Sequence, residues 1–271
     1  MKTIPVSRRS ALALTGAVSL AGLLAACSSS STSQSTDVLQ KIKDAGKIRI
    51  GMEGTFKPWG YHNEKGDLVG MEKEIGDLLA KDLGVSAEYI ESPWDSLIAG
   101  VDSDRYDVVL NNVAPTEERQ QKYNFSINYV KSEGKVGVLE SSPLKQVSDV
   151  KGHTAASSET SNFRTLLEQN GATIVTVTGF DEAIEQVLSG RVDCTGNDAV
   201  TFQAYKKEHP EAKIRLLEGQ LGDASEAAVL MPKGADSLKK AIDDSLIKHM
   251  DNGDLKNIYM KYVGIDLTPS K

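Results

Sequence analysis

The chain is poor in the residues that build crosslinks, metal sites and nucleophiles. It has only two cysteines in 271 residues, Cys27 and Cys194. Cys27 is assigned below to lipidation, so no disulfide framework is available. Cys194 lies in an apolar, strand-like run and is expected to be a small core residue. The four histidines (His62, His153, His209 and His249) show no ligand-type spacing, so no metal and no cofactor are expected. Ser–His and Cys–His nucleophile pairs and a phosphate-cradling loop are also absent from the sequence pattern. No excess of positive charge exists either. The formal net charge is −7, which argues against nucleic acid as a partner.

A long hydrophobic run is missing too. The apolar stretch Ala11 to Ala26 follows Lys2, Arg8 and Arg9 and falls short of the roughly 20 residues that cross a bilayer as a helix. Residues 1–26 therefore read as a signal peptide. Leu24-Ala25-Ala26-Cys27 resembles a lipobox, in which the Cys27 thiol receives diacylglycerol and becomes the new N-terminus. The polar tract Ser28 to Thr36 has nothing to bury, and residues 27–46 are expected to act as a flexible tether. The expected location is the extracytoplasmic face of the cell membrane, held by lipid. The leader has three basic and no acidic residues, so the 245 residues from Cys27 onward carry −10.

From Lys47 the pattern alternates strand and helix. Strands are expected at Ile48–Met52, Val85–Ile90 and Tyr106–Leu110, with helices over Met71–Leu83, over Trp94–Val101 and from Thr116. An extended stretch, Tyr129–Glu140, leads to a second set. It has strands at His153–Ser157, Thr173–Val177, Val192–Thr195 and Ile214–Leu217, and helices at Asn162–Gln169, Phe180–Leu188 and Ala199–Lys207. A strand at Ala227–Met231 and helices at Asp236–Met250 and Leu255–Tyr262 close the chain. Such alternation implies an α/β fold of two lobes, each a parallel-type sheet flanked by helices. Lobe 1 is expected over 47–132 plus 229–271 and lobe 2 over 133–228. Ligands of open α/β sheets bind at the carboxyl ends of strands. Those ends are Met52-Glu53-Gly54, Asn111-Asn112, Ser157-Ser158 and Asn197-Asp198.

A free amino acid needs both its poles neutralised once it leaves water. Arg119 offers a planar fork for a carboxylate. Asp198 can meet an ammonium, and Thr160 and Ser161 open a helix whose N–H groups favour an anion. Each has a plainer alternative. Arg119 could be a surface charge beside Glu117 and Glu118, Asp198 a helix cap, and Phe56 and Trp94 core aromatics.

The run from Asp107 to Arg119 (DVVLNNVAPTEER) resembles the segment that leads to the carboxylate-binding arginine in family 3 of the bacterial extracellular solute-binding proteins. Gly51 to Trp59, Gly66 to Gly70, Tyr123 to Ser126, Gly190 to Asp193 with Asn197-Asp198, and Asp254 to Gly264 fit that family in order. The resemblance covers about Lys47 to Asp266. It implies a two-lobe periplasmic-binding-protein-like fold of type II. It also implies that Arg119 holds the ligand carboxylate, helped by amides at Ala114, Thr160 and Ser161. Asp198 would take the ammonium together with a carbonyl at or near Asn112. Phe56 would stack on the ligand, while Glu53, Trp94 and Asn111 border its side chain. Departures are Ala114, where a hydroxyl residue is usual, Ile127-Asn128 in place of Asp-Pro, and a missing glycine before the helix at Asn162.

Glu53 with Gly54-Thr55-Phe56, Asn111-Asn112-Val113, Thr160-Ser161-Asn162 and Asn197-Asp198 resemble the cystine-binding branch most. Glu53 could meet the distal ammonium of cystine, select a cationic side chain, or lie on a solvated rim. The implied partners are an amino acid ligand and the transmembrane subunits of an ABC importer, with the protein acting as a monomer. Two rivals share the fold: a cyclohexadienyl dehydratase using Glu53 as its acid, and an amino-acid sensor with no transport partner.

Overall fold

The computed structural model describes residues 37–270. The leader, Cys27 and the polar tract after it lie outside the described residues. The folded body starts earlier than the composition suggests. Val38, Leu39 and Ile42 form one apolar stripe on helix α1 (Val38–Ala45), and Ile42 is buried in the main core. Asp37 caps this helix by accepting from the Leu39 N–H at 3.3 Å, and Gly46 closes it in the left-handed region. Residues 38–45 are thus not tether, which corrects the expectation for that stretch.

The chain then runs β1 (Lys47–Met52), β2 (Thr55–Phe56), β3 (Gly60–His62), β4 (Leu68–Val69), α2 (Met71–Leu83), β5 (Ser86–Glu91), α3 (Trp94–Leu97), α4 (Ala99–Asp102), β6 (Val108–Val109), α5 (Glu117–Lys122) and β7 (Tyr123–Leu139). It continues with β8 (Thr154–Ser157), α6 (Asn162–Gln169), β9 (Thr173–Thr176), α7 (Phe180–Leu188), β10 (Cys194–Asp198), α8 (Ala199–Glu208), β11 (Ile214–Leu216), β12 (Ala224–Pro232), α9 (Asp236–Asp251) and α10 (Asp254–Val263).

The main sheet has the order β5-β1-β6-β12-β7-β10-β8-β9, with β11 also on β7. Two parallel sets, β5-β1-β6 and β10-β8-β9, are joined through β12 and β7, which run antiparallel to their neighbours. The 17-residue β7 pairs with β12 over Tyr123 to Glu133 and with β10 and β11 beyond that point. Two extended chain passages therefore connect the halves. The largest cluster includes Ile48, Ile50, Trp59, Ile75, Leu79, Leu238 and Leu246, in the first half. A separate one, with Val136, Val138, Ala155, Leu167 and Cys194, fills the second half. Cys194 is a core residue as expected, its thiol pushed up to about 12 by burial. His249 is buried between Asp254 (2.7 Å) and Asp82 (3.1 Å), tying α9 to α2 and α10. Among the described residues no cluster could hold a metal ion, and no helix is long and apolar enough to cross a membrane.

Element types follow the sequence pattern, while their ends follow pairing partners. The extended stretch expected from Tyr129 begins at Tyr123, because its backbone ladders onto β12. The strand expected at Val192–Thr195 is Cys194–Asp198, drawn C-terminally by its register with β7. The helix expected over Trp94–Val101 is split into α3 and α4, and the strand expected over Tyr106–Leu110 narrows to Val108–Val109. The small sheet β2-β3-β4 carries no alternation long enough to reveal it.

The chain supporting α3 and β6 is packed against one buried ring. Tyr106 donates to the Leu97 carbonyl, and its ring lies over Gly51 and Gly100. A Cβ on Gly100 would collide with the Tyr106 hydroxyl oxygen. Gly100→Ala is expected to displace the ring and cost about 1–3 kcal/mol, lowering the melting midpoint by roughly 2–4 °C per kcal/mol. A midpoint within 1 °C of the parent, measured by calorimetry, would refute this packing account.

Candidate functional site

Four loops converge at the carboxyl ends of β1, β6, β8 and β10, as the rule for open α/β sheets requires. Seven of the twelve residues singled out from the sequence meet around one inner cavity of 50 Å³: Glu53, Phe56, Trp94, Asn111, Asn112, Ser161 and Asn162. Ser158, Phe163, Gly179, Phe180 and Asn197 complete its wall. This space is far below the roughly 300 Å³ at the lower end of ligand pockets. Two larger clefts share parts of its wall. One neighbouring cleft of 650 Å³ shares Ser161, Asn162 and Phe163 with it and adds Ala114, Arg119 and Thr160. The other, of 640 Å³, shares Glu53, Phe56, Gly179 and Phe180 and adds Glu91 and Asp181.

The two halves of the sheet touch across this site. Thr160 donates its N–H and hydroxyl to Asp95 Oδ1 at 3.2 and 3.0 Å. Trp59 Nε1 donates to Thr201 Oγ1 at 3.0 Å, and Lys57 Nζ lies 2.5 Å from Glu208 Oε1. The cleft is shut.

Arg119 is not a surface charge. It is 8% exposed, its guanidinium lies 5.4 Å from the Trp94 ring, and it donates to the carbonyls of Ala114 and Thr160 at 2.9 Å each. Thr116 caps its helix, α5, by accepting from the Arg119 N–H. No carboxylate of the described residues pairs with the guanidinium, and burial pulls its pKa down to about 10 although Glu118 opposes the shift. A buried, unpaired cation is costly unless an anion completes it. The Ala114 group facing Arg119 is its carbonyl, and the Thr160 N–H is already taken by Asp95. The Ser161 hydroxyl caps α6 by accepting from the Phe163 N–H at 3.2 Å.

Asp198 occupies the N-cap position of α8, yet its side chain makes no cap hydrogen bond. It is fully buried and accepts from Asn112 Nδ2; among the described residues its Oδ1 makes no hydrogen bond of ordinary length, although the Ser225 and Ser132 side chains lie near enough to act on the carboxylate. Burial raises its pKa to about 6, and Ser225, Asn112 and Ser132 offset this in part. Asp198 lines neither the inner cavity nor the two clefts beside it, while Asn112, whose amide it accepts, lines the inner cavity. Val113 is a further correction. Its side chain is fully buried among Leu97, Val109 and Leu230, since the strand end turns it toward the core. Trp94 packs in that same cluster and also lines the inner cavity.

Glu53 accepts from Asn111 Nδ2 at 2.6 Å, and its own N–H donates to Asn111 Oδ1 at 2.8 Å. Burial raises its carboxyl to about 7, Asn111 lowers it, and Asp181 and Asp95 raise it further. It is therefore no freely solvated rim group. Sequence reasoning missed Gly179 and Phe180, although they follow β9, and the strand-end rule applies there equally. It also missed Glu72, a buried acid within the apolar face of α2, which no periodicity distinguishes from a surface charge.

A sequence model described as "Bacterial extracellular solute-binding proteins, family 3" matches residues 48–265. The L-cystine-binding protein TcyA of Bacillus subtilis (strain 168) is 33% identical over 269 residues, covering 96% of this chain and 99% of the relative. An ancestral arginine-binding protein bound to arginine superposes with a TM-score of 0.76 at 28% identity, over 81% of this chain and 99% of that one. The L-cystine solute receptor of Neisseria gonorrhoeae, in its unliganded open conformation, gives 0.61 at 29% identity, over 86% and 99%. Identity is nearly equal in the last two, so the lower score of the open receptor accords with the shut cleft seen here.

Proposed function

The chain belongs to family 3 of the bacterial extracellular solute-binding proteins, and from that premise we propose that it captures a free polar amino acid in the interlobe cleft and delivers it to an ABC importer. The observation that carries this reading is a buried guanidinium on α5 and a buried carboxylate at the end of β10, neither with an ion pair to the other or to any other described group. A zwitterion supplies the missing partner to each. Arg119 holds the carboxylate in place of the carbonyls it now touches. Asp198 takes the ammonium once the Asn112 amide moves aside. Lobe 1 is 47–132 plus 229–271 and lobe 2 is 133–228, with hinges near Tyr129 to Val136 and Ala224 to Val229. Closure is a population shift driven by contacts made only when shut.

Cystine or a related polar amino acid is the ligand. The similarity to two L-cystine binders supports it, as does Glu53, which stands where the inner cavity meets the cleft that Asp181 also lines. The protein is exported, attached by lipid at Cys27, and works as a monomer without catalysis.

The test is a thermal-shift screen of the soluble domain against cystine and the free amino acids. A ligand at a hundred times its Kd adds about 2.7 kcal/mol to stability, so cystine or another polar amino acid is expected to raise the midpoint by several degrees. If none of them shifts it, the reading falls. The raised Glu53 carboxyl favours one second reading, a dehydratase with Glu53 as its acid. Incubation with prephenate is expected to leave its absorbance unchanged, and product formation that a Glu53→Gln variant abolishes would establish the enzyme instead.

A further inference from the structure

Two fully buried carboxylates face each other through one residue. Glu72, on the buried side of α2, accepts the backbone N–H of Asn112 at 2.5 Å and the hydroxyl of Tyr129, leaving its Oε2 without a partner. Asn112 then sends its side-chain amide to Asp198, on which the Ser225 and Ser132 side chains also act. The joint between them is unusual. Asn112 is held at φ 50, in the left-handed region that few non-glycine residues enter. Tyr129 belongs to β7, the strand that crosses between the halves, and the Tyr259 hydroxyl donates to the Tyr129 carbonyl at 2.6 Å.

We propose that Glu72 is a positioning residue for ligand capture: it holds Asn112 in its left-handed conformation, so that the Asn112 amide that contacts Asp198 is placed to set how Asp198 meets a ligand ammonium. This rests on the assignment of Asp198 to the ligand ammonium. The physical case has three parts. The hydrogen bond from the Asn112 N–H to Glu72, at 2.5 Å, helps offset the backbone cost of a left-handed asparagine. A buried acid with one empty oxygen is not explained by stability, because an apolar residue of similar size serves that better. Finally, the same oxygen binds the crossing strand through Tyr129, so Asn112 and the passage between the halves share one anchor.

The experiment compares cystine, or whichever amino acid the thermal screen identifies, on the parent and four variants by calorimetry. Glu72→Leu, made with Tyr129→Phe so that no hydroxyl is stranded, is expected to weaken binding about tenfold. Glu72→Gln keeps an acceptor oxygen and is expected to stay within about threefold of the parent. Asn112→Gly, which tolerates the left-handed backbone and lacks the amide, is expected to bind differently from the parent. Combining it with the Glu72→Leu, Tyr129→Phe change should then add no further loss. A merely structural Glu72 would lower the melting midpoint in every background and leave affinity within twofold of the parent, and that result overturns the proposal. Should the leucine variant fail to fold, unchanged affinity in Asn112→Gly overturns it alone. Arg119→Ala run alongside separates the two ideas. If it loses binding while the Glu72 variants do not, only the positioning role fails. If it binds normally, the site reading fails.

Discussion

Arg119→Ala loses at least about a hundredfold in amino acid affinity, corresponding to roughly 3–5 kcal/mol for a buried charge deprived of its partner. The reason lies in what surrounds the guanidinium. It is buried against Trp94 and touches only carbonyl oxygens, so it already bears most of the desolvation cost before any ligand comes. A ligand carboxylate would recover that cost as Coulomb energy and two parallel hydrogen bonds. Arg119→Lys keeps the charge and loses the fork, and is expected to retain part of the affinity. Because the empty protein gains no ion pair from Arg119, the melting midpoint of the ligand-free alanine variant should change by only a few degrees. Titration calorimetry that finds the alanine variant within threefold of the parent would remove Arg119 from the site.

The second large effect belongs to Asp198 and to pH. Asp198→Asn keeps shape and removes charge, and at pH 7.5 it is expected to weaken binding about a hundredfold, since an ammonium would then be buried without an anion. In the parent, Asp198 must be ionised to do this, and its carboxyl is pushed up to about 6. Affinity is therefore expected to fall as pH drops through 6, approaching about tenfold per pH unit below it. The asparagine variant should lack this dependence.

Stability of the empty protein runs the other way. Asp198 near 6 and Glu53 and Glu72 near 7 all lie above ordinary carboxylate values in the folded state. Between about pH 4 and 7 the native form thus binds more protons than the unfolded chain, and stability declines as pH rises through that window. Lowering the pH from 8 toward 5 is expected to raise the melting midpoint of the empty protein while weakening its hold on ligand. Parallel trends in the two quantities would contradict the assignment of these buried acids.

The parallel strands and most helices were readable because apolar spacing is local. Ile48 and Ile50 alternate on β1, and Ile75 and Leu79 recur one turn apart on α2. Helix α1 was hidden by the polar tract before it, since its stripe is too short to stand out and only packing on the main core reveals it. At the site, the strand-end rule brought Glu53, Asn111, Asn112 and Ser158 to one cavity wall. It could not tell a side chain that points into the cleft from one that points into the core, and Asp198 at the end of β10 is fully buried.

What the sequence determined alone is the alternation of elements, the family, and which residue types stand at the strand ends. These depend on neighbours along the chain and on motif order. Only the tertiary structure decided that Arg119 pairs with no carboxylate of the described residues, that the Asn112 amide donates to Asp198, and that Glu72 accepts the Asn112 N–H. Each of those is a contact between residues distant in sequence, and whether a charge is buried, paired or hydrogen-bonded is set by what the fold brings against it.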